Sequence, residues 1–455
     1  MVLFSCLLHS DPANQRLRVS VNPEPLNPET RERLLFCKGR IMTGLTQSIA
    51  RQIIERVGSS GAPPEWGFQF FTAGLDLYLK VLEEDYLKGF IRQGGASFKM
   101  IIGAYGGGKT HFLYSVRELA WKNNFLVSYC ALSPEESPFY RLDKVYKTVV
   151  QNLMYPLTPE ELFSGGHKGI EAFLKVLHQD ARKSFAGEAM DEILAKRLKD
   201  YAGDFVKEIE SVNFIRAVRE AFMSLAEGND RDFEDLMQWI KVDGYDRHVH
   251  RRFGILQPID KGQAFSTLRS LIQWIRNLKY NGLVILLDEA EQVPSLTSKQ
   301  RELMLSNIRE LIDECGHAAF KNVMIFYAIP TLAFFEGKSG VYEALKQRIS
   351  SVFDFYNPTG VKINLERLEY EPEVLLKEIG RKLIPIYETA FNASLPGEKC
   401  EDAIGKIAHA AYEQRFGDIG YKRLFVQGVI RGFHFIRHNS SAQINEPWAF
   451  DMVQG

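Results

Sequence analysis

The sequence predicts an α/β fold: a parallel five-stranded sheet, a large helical insertion and a C-terminal helical lid. Three observations carry this. Five short, almost continuously apolar segments (KMIIGAY, FLVSYCALS, LVILLDEA, NVMIFYAIP and VKINL) are separated by stretches of helical spacing, the pattern of parallel strands buried on both faces. The chain between the second and third segments reads as helical almost throughout. So does everything after about Leu368.

In order along the chain, residues 1–40 mix proline, asparagine and charge (NPEPLNPETRER) and read as an N-terminal extension. Helical spacing begins in IMTGLTQSIARQIIERV, is broken by GSSGAPPEWG, and resumes in GLDLYLKVLEEDYLKGFI just before the first strand. Residues 41–370 form the expected core. Within it, 134–280 is the mainly helical insertion (KVYKTVVQNLM, IEAFLKVLHQDARKSF, MDEILAKRLKDYA, FIRAVREAFMSLAEG, FSTLRSLIQWIRNL), and 371–455 is the expected lid. A chain of 455 residues is longer than one compact core usually serves, so several structural units fit.

The formal net charge is −1, so no global basic field draws the chain to nucleic acid, and any DNA contact must come from a local patch. The cysteines, Cys6, Cys37, Cys130, Cys315 and Cys400, are scattered, with no C-x-x-C pair. That argues against a disulfide framework or zinc site and for a reducing compartment. The start, MVLFSCLLHSD, lacks a basic n-region, and no run approaches the length of a membrane span. A cytoplasmic protein is expected.

GAYGGGKT, 103–110, fits G-x-x-x-x-G-K-[ST], with a strand before it and a helix after it. Glycine costs backbone entropy, so this concentration marks a place that needs bare backbone. The N–H groups of Gly103, Ala104, Tyr105, Gly106, Gly107, Gly108 and the helix start through His111 are expected to close around phosphates, aided by the helix dipole. Lys109 would reach the β and γ phosphates of ATP, and Thr110 would offer its hydroxyl to Mg²⁺. LVILLDEAE supplies the acidic half: Asp288 as metal ligand, directly or through water, and Glu289 to polarise the attacking water. An apolar run ending in Asp-Glu is weak by itself. Paired with the glycine loop, it indicates a P-loop NTPase.

Further candidates rest on likeness to AAA+-type ATPases. Thr331, ending NVMIFYAIPT, resembles the polar residue that senses the γ-phosphate, with Tyr327 as the alternative. Arg348, in EALKQRISSVFDF, resembles an arginine finger acting on a neighbouring subunit. Arg423, in RFGDIGYKRLFVQGVI, resembles the second sensor on a lid helix, with Lys422 as a spare. A strand cap, a surface arginine and a solvated charge pair are the plainer readings of the three.

ARQIIERVGSSGAPP, FFTAGLDLYLKVLEEDY, GAYGGGKTHFLYSVRELA, VSYCALSPEESPFYRLDKVYKTVVQNL and LKYNGLVILLDEAEQV together resemble the ATP-binding proteins of BREX bacteriophage-defence systems, the BrxC/BrxD group, over roughly residues 47–435. The length is closest to the short BrxD type. The resemblance implies an AAA+-like ATPase in defence. It would act on double-stranded DNA or with a helicase or methyltransferase partner. Arg348 as a finger implies a homo-oligomer, and the lack of a membrane-length run leads to no membrane partner being expected. An ATP-dependent switch or scaffold with little turnover is the alternative.

Three remaining features have plainer readings beside functional ones. Arg141 and Asp143 would contact a neighbour or simply start a packed helix. YDRHVHRRFG gathers Arg247, His248, His250, Arg251 and Arg252 with Tyr245 and Phe253. This is the best local basic patch for nucleic acid, with a solvated turn as the plainer reading. RGFHFIRH (Arg431, His434, Arg437, His438) is a weaker one. GKSG at 337–340 reads as a loop.

Overall fold

A computed structural model describes residues 44–133, 135–165, 167–185, 191–290, 296–335, 340–354, 356–368, 370–416, 420–439 and 443–454. The expected extension at 1–40 and the 337–339 part of the GKSG loop lie outside them.

Helix α1 (Gln47–Ser60) opens where the Thr46 hydroxyl accepts the Ile49 N–H and closes at Gly61 in the left-handed region. Strand β1 (Ala96–Ile102) runs into the glycine loop, which leads to α2 (Lys109–Lys122). Then come β2 (Leu126–Ala131), α3 (Leu142–Gln151) and the two-residue strand β3 (Leu153–Met154). The longer helices before the next strand are α4 (Ile170–Phe185), α5 (Asp191–Asp204), α6 (Val212–Glu227), α7 (Asp230–Ile240) and α8 (Ala264–Asn277). The sheet region resumes with β4 (Leu283–Asp288), α9 (Ser298–Gly316), β5 (Val323–Ile329), α10 (Gly340–Arg348) and β6 (Lys362–Asn364). Four helices follow: α11 (Pro372–Phe391), α12 (Gly397–Glu413), α13 (Tyr421–His438) and α14 (Glu446–Val453).

The strands form one six-stranded sheet in the order β3-β2-β4-β5-β1-β6. This corrects the expected parallel five-stranded sheet. The five anticipated strands are present and mutually parallel, but β3 pairs antiparallel with β2 at the edge, so the sheet is mixed. Two residues are too few to carry a period, and Leu153 and Met154 directly follow a helix. Only the reversal of the chain against Val127 and Ser128 makes them a strand. Every residue of β4 and β5 is buried, which is why those segments read as unbroken apolar runs.

Register sets the site. Met100 and Leu287 both sit opposite Tyr327, so Asp288 emerges level with Ile101, one strand across from the exit of β1 into the glycine loop. Ligand sites of open α/β sheets lie beyond this carboxyl edge.

The buried apolar residues form two clusters. The larger surrounds the sheet and takes in the insertion helices, with Trp239, Trp274 and Phe222 among its members. The smaller is built from α11–α14 together with α1, whose Ala50, Ile53, Ile54 and Val57 stripe packs into it. Phe68, Phe71 and Tyr114 join that cluster and border the sheet domain. No helix among the described residues is long and apolar enough to cross a membrane.

Candidate functional site

A cavity of about 300 Å³ opens where the two clusters meet. Its lining is mixed: 106–111, Asp288, Glu289 and Lys422 are polar or charged or belong to the loop, while Val57, Pro63, Phe71, Leu375 and Val426 are apolar. Such a mixed lining suits a ligand with a flat apolar group and a charged tail.

The loop geometry follows from its glycines. Gly108 has φ 103° and begins α2 with no side chain capping the first turn, so the amide end of the helix is left to a ligand. A side chain at 107 would collide with the Ala104 backbone and the Glu366 carboxylate. Lys109 is buried along the loop, its Nζ donating to the carbonyls of Gly103 at 2.9 Å and Ala104 at 3.3 Å.

Thr110 and Asp288, 178 positions apart, meet: Thr110 Oγ1 donates to Asp288 Oδ2 at 2.7 Å. Asp288 is 1 % exposed. Its Oδ2 also accepts from the Tyr129 hydroxyl at 2.8 Å, and its Oδ1 accepts the Glu289 N–H at 2.9 Å. Glu289 has φ 57°, a left-handed conformation that a non-glycine residue rarely adopts, and it lines the cavity beside Asp288. Burial and the Asp288 charge push the Tyr129 phenol far above its ordinary pKa, so it stays a donor.

The donors facing the cavity are hydroxyl and carboxylate oxygens, the hard ligands that Mg²⁺ takes. Among the described residues no group of three or more His, Cys, Asp or Glu would hold a metal by itself. A Mg²⁺ ion held by Thr110 and Asp288 would therefore complete its shell with phosphate and water oxygens, as this ion commonly does.

The C-terminal helices grip the loop from outside. The Gly420 N–H donates to the Tyr105 carbonyl at 2.8 Å. Lys422 Nζ donates to the carbonyls of Gly107 at 3.0 Å and Leu365 at 2.8 Å. Burial holds the Lys422 ammonium below the usual lysine range, with Glu366 pulling the other way. Glu366 Oε1 accepts the Ala104 N–H at 3.1 Å. His111, on the first turn of α2, has its Nε2 2.7 Å from Thr72 Oγ1 and packs edge-on against Phe68 and Phe71. Burial, then Lys422, pushes its pKa down to about 4.

A family model described as BREX system ATP-binding protein BrxC/D matches residues 45–451. The chain belongs to that family. Searches of curated proteins and of solved structures found no match. The family's description is ATP-binding, and the cavity that Lys109, Thr110 and Asp288 line together is the candidate place for it in this BrxC/D-family chain.

The other anticipated residues divide. Arg423 lines the cavity, but its Nε donates to the Ser60 carbonyl at the end of α1 and its guanidinium lies 4.9 Å over the Tyr105 ring. Lys422, rather than Arg423, hydrogen-bonds the loop backbone, while the Arg423 stem packs against Gly106. Gly103, Ala104, Thr331, Tyr327 and Arg348 do not line the cavity among the described residues. Thr331 Oγ1 accepts the Ala333 N–H at 3.4 Å in an exposed turn. Tyr327 is buried in β5 among Phe98, Phe139 and Phe335. Arg348 is held by Asp313 of α9, Nη2 to Oδ2 at 2.9 Å.

The basic patches are partly spent on structure. His250 is 1 % exposed, stacked on Tyr245, with ring nitrogens against the Asp246 and Asp235 carbonyls. Arg252 pairs with Asp232 and Asp235. Arg247, His248 and Arg251 remain exposed. In the second patch, Arg431 bonds the Met452 carbonyl and His434 lies 2.7 Å from the Tyr387 hydroxyl. Arg141 pairs with Asp143 at 2.7 Å, at the start of α3.

Sequence reasoning missed Tyr129, Glu366 and the contribution of α1. Tyr129 stands in an apolar run, FLVSYCALS, where a tyrosine reads as core. Glu366 carries no spacing signal. The GSSGAPP break did hold one, because it brings Gly61–Pro63 to the cavity wall.

Proposed function

We propose that this BrxC/D-family protein is an AAA+-like P-loop ATPase. It binds ATP with Mg²⁺ and couples nucleotide state to remodelling or loading of DNA or protein in phage defence. The observation that carries the reading is the 2.7 Å bond from Thr110 to Asp288, which joins the glycine loop to the acidic strand end inside the cavity. The uncapped start of α2 and Lys109 would hold the phosphates. The apolar walls would take the base. Bound Mg²⁺ would neutralise phosphate charge as it develops. Thr110 and Asp288 would hold the ion, and Glu289 would orient and deprotonate the attacking water. We place the chain with the shorter BrxD-type members on resemblance, and treat 41–370 as the ATPase core and 371–455 as its lid. Arg348 would act across a subunit interface after exchanging Asp313 for a neighbour's phosphate. Thr331 and Arg423 are the proposed sensors. Arg247 and Arg251 are the proposed DNA contacts.

The direct grip of Gly420 and Lys422 on the loop backbone favours a second reading. In it, nucleotide occupancy sets the lid angle and recruits partners, with little turnover. One experiment separates the two. Purified wild-type and Glu289→Gln proteins are compared for ATP binding, ATP turnover and DNA binding with and without ATP-Mg, at stated salt. The ATPase reading expects turnover to fall about a hundredfold or more in Glu289→Gln with ATP retained. It also expects DNA binding that appears only with ATP. Slow turnover, insensitive to both DNA and Glu289→Gln, would instead leave the switch.

A further inference from the structure

We propose that Tyr129 is a positioning residue for the metal-binding pair Thr110–Asp288. Its hydroxyl fills the lone-pair site of Asp288 Oδ2 that Thr110 leaves open, and so fixes how the carboxylate serves the ion. The inference rests on the Mg-ATP reading of the cavity.

The geometry starts in the sheet. Tyr129 pairs with Leu286 and Ala131 with Asp288 in the parallel register of β2 and β4. Tyr129 and Asp288 therefore lie diagonally on one face of neighbouring strands, a separation that an aromatic side chain spans. The ring is held by Tyr114 of α2, with centroids 5.1 Å apart and planes inclined at 52°. Tyr114 in turn lies 5.8 Å from Phe68. The phenol is thus backed by Tyr114, itself braced by Phe68, and its hydroxyl meets Oδ2 at 2.8 Å.

Each carboxylate oxygen offers two acceptor sites. On Oδ2 both are used, by Thr110 at 2.7 Å and Tyr129 at 2.8 Å. On Oδ1 one is used, by the Glu289 N–H at 2.9 Å. Two consequences follow. The Thr110 proton is directed at Asp288, so the lone pairs of that hydroxyl stay available to a cation. Asp288 in turn cannot offer Oδ2 directly and acts by fixing Thr110 and through Oδ1. Without the phenol, the carboxylate can rotate and release Thr110. Outer partners of this kind typically change metal affinity by about 10–100-fold.

The test titrates Mg²⁺ into the full chain with a fluorescent ATP analogue, for wild type and Tyr129→Phe, alongside a titration in excess chelator. Tyr129→Phe removes one oxygen and keeps the ring. The expected result is a rise of about tenfold in half-saturating Mg²⁺, with metal-free affinity for the analogue within about twofold of wild type. Mn²⁺ binding followed by electron paramagnetic resonance should weaken by the same factor. An unchanged Mg²⁺ requirement overturns the inference. So does an equal loss of metal-free binding, which would make Tyr129 a wall of the cavity and nothing more. Wild-type protein that takes up no nucleotide, or whose uptake ignores Mg²⁺, overturns the Mg-ATP reading itself. A Mg²⁺-dependent wild type with an indifferent Tyr129→Phe overturns only the role of Tyr129.

Discussion

Replacing Lys422 with methionine tests whether α13 holds the glycine loop in the shape proposed to bind nucleotide. The substitution keeps the length and the apolar stem and removes the ammonium. The structure then loses two charge-assisted hydrogen bonds, to Gly107 at 3.0 Å and Leu365 at 2.8 Å. Bonds to charged groups contribute about 1.5–3 kcal/mol each. Part of that is offset, because burial already disfavours the charged form of Lys422. With that offset, a net loss of about 2 kcal/mol, below the roughly 3–6 kcal/mol of the two bonds together, is expected in the arrangement that holds α13 on the loop. If ATP binds only that arrangement, about 2 kcal/mol appears as roughly a thirtyfold weaker Kd. The assay is a titration of wild type, Lys422→Met and Lys422→Arg with a fluorescent ATP analogue in saturating Mg²⁺. Lys422→Arg should recover part of the loss, since it restores a cation able to reach both carbonyls. A Lys422→Met protein that binds within about twofold of wild type would refute the reasoning, and the grip on Gly107 would then be incidental to binding.

Stability should fall on acidification through His111. Its folded pKa is depressed to about 4 against an ordinary 6.5, so the unfolded chain takes up the proton first. The contribution is fully present above pH 6.5 and lost as pH falls towards 4. It amounts to up to about 2 kcal/mol between pH 7.5 and 5. Denaturant midpoints at the two values should show a smaller difference in His111→Gln. Lys99 is 1 % exposed in β1 and donates to Tyr86 Oη at 2.7 Å and to the carbonyls of Gly360 at 2.6 Å and Pro358 at 3.1 Å. Lys99→Met leaves those carbonyls without this donor, so a destabilisation of about 2 kcal/mol is expected. Faster hydrogen exchange confined to about 356–362 should accompany it, and unchanged exchange there would count against the tether. Gly107→Ala should weaken nucleotide binding more than tenfold, because the new methyl meets the Ala104 backbone and Glu366. Equilibrium binding measures it directly.

Much of the sheet was legible because it is written locally. Five short, almost continuously apolar segments can only be strands or short helix pieces, and the intervening 3.6-residue periods settle which. The glycine loop was legible for a related reason. Its spacing encodes backbone conformations, such as the left-handed Gly108, that hold wherever the loop is placed. Asp288 and Glu289 stood out because they end an apolar run. The edge strand β3 was not visible, since two residues have no period and their partner lies some 26 positions back.

The harder part of the site is nonlocal. Whether Tyr129 faced the core or Asp288 depended on β2 lying beside β4, and the strand order is not written in β2. Lys422 and Arg423 are adjacent in sequence and alike in charge. Helix packing alone directs the hydrogen bonds of one to the loop carbonyl of Gly107 and those of the other to the end of α1. The apolar stripe of α1 announced burial but not its partner, which lies more than 300 positions further on. The glycine loop, the acidic strand end and the α/β class can be read from residue order, because each is a short-range pattern of backbone freedom or hydrophobic period. Packing across the chain was needed to show which hydroxyl steadies Asp288, which cation bonds the loop backbone and which apolar residues wall the cavity. Those contacts join residues whose own neighbourhoods read as ordinary core or ordinary surface.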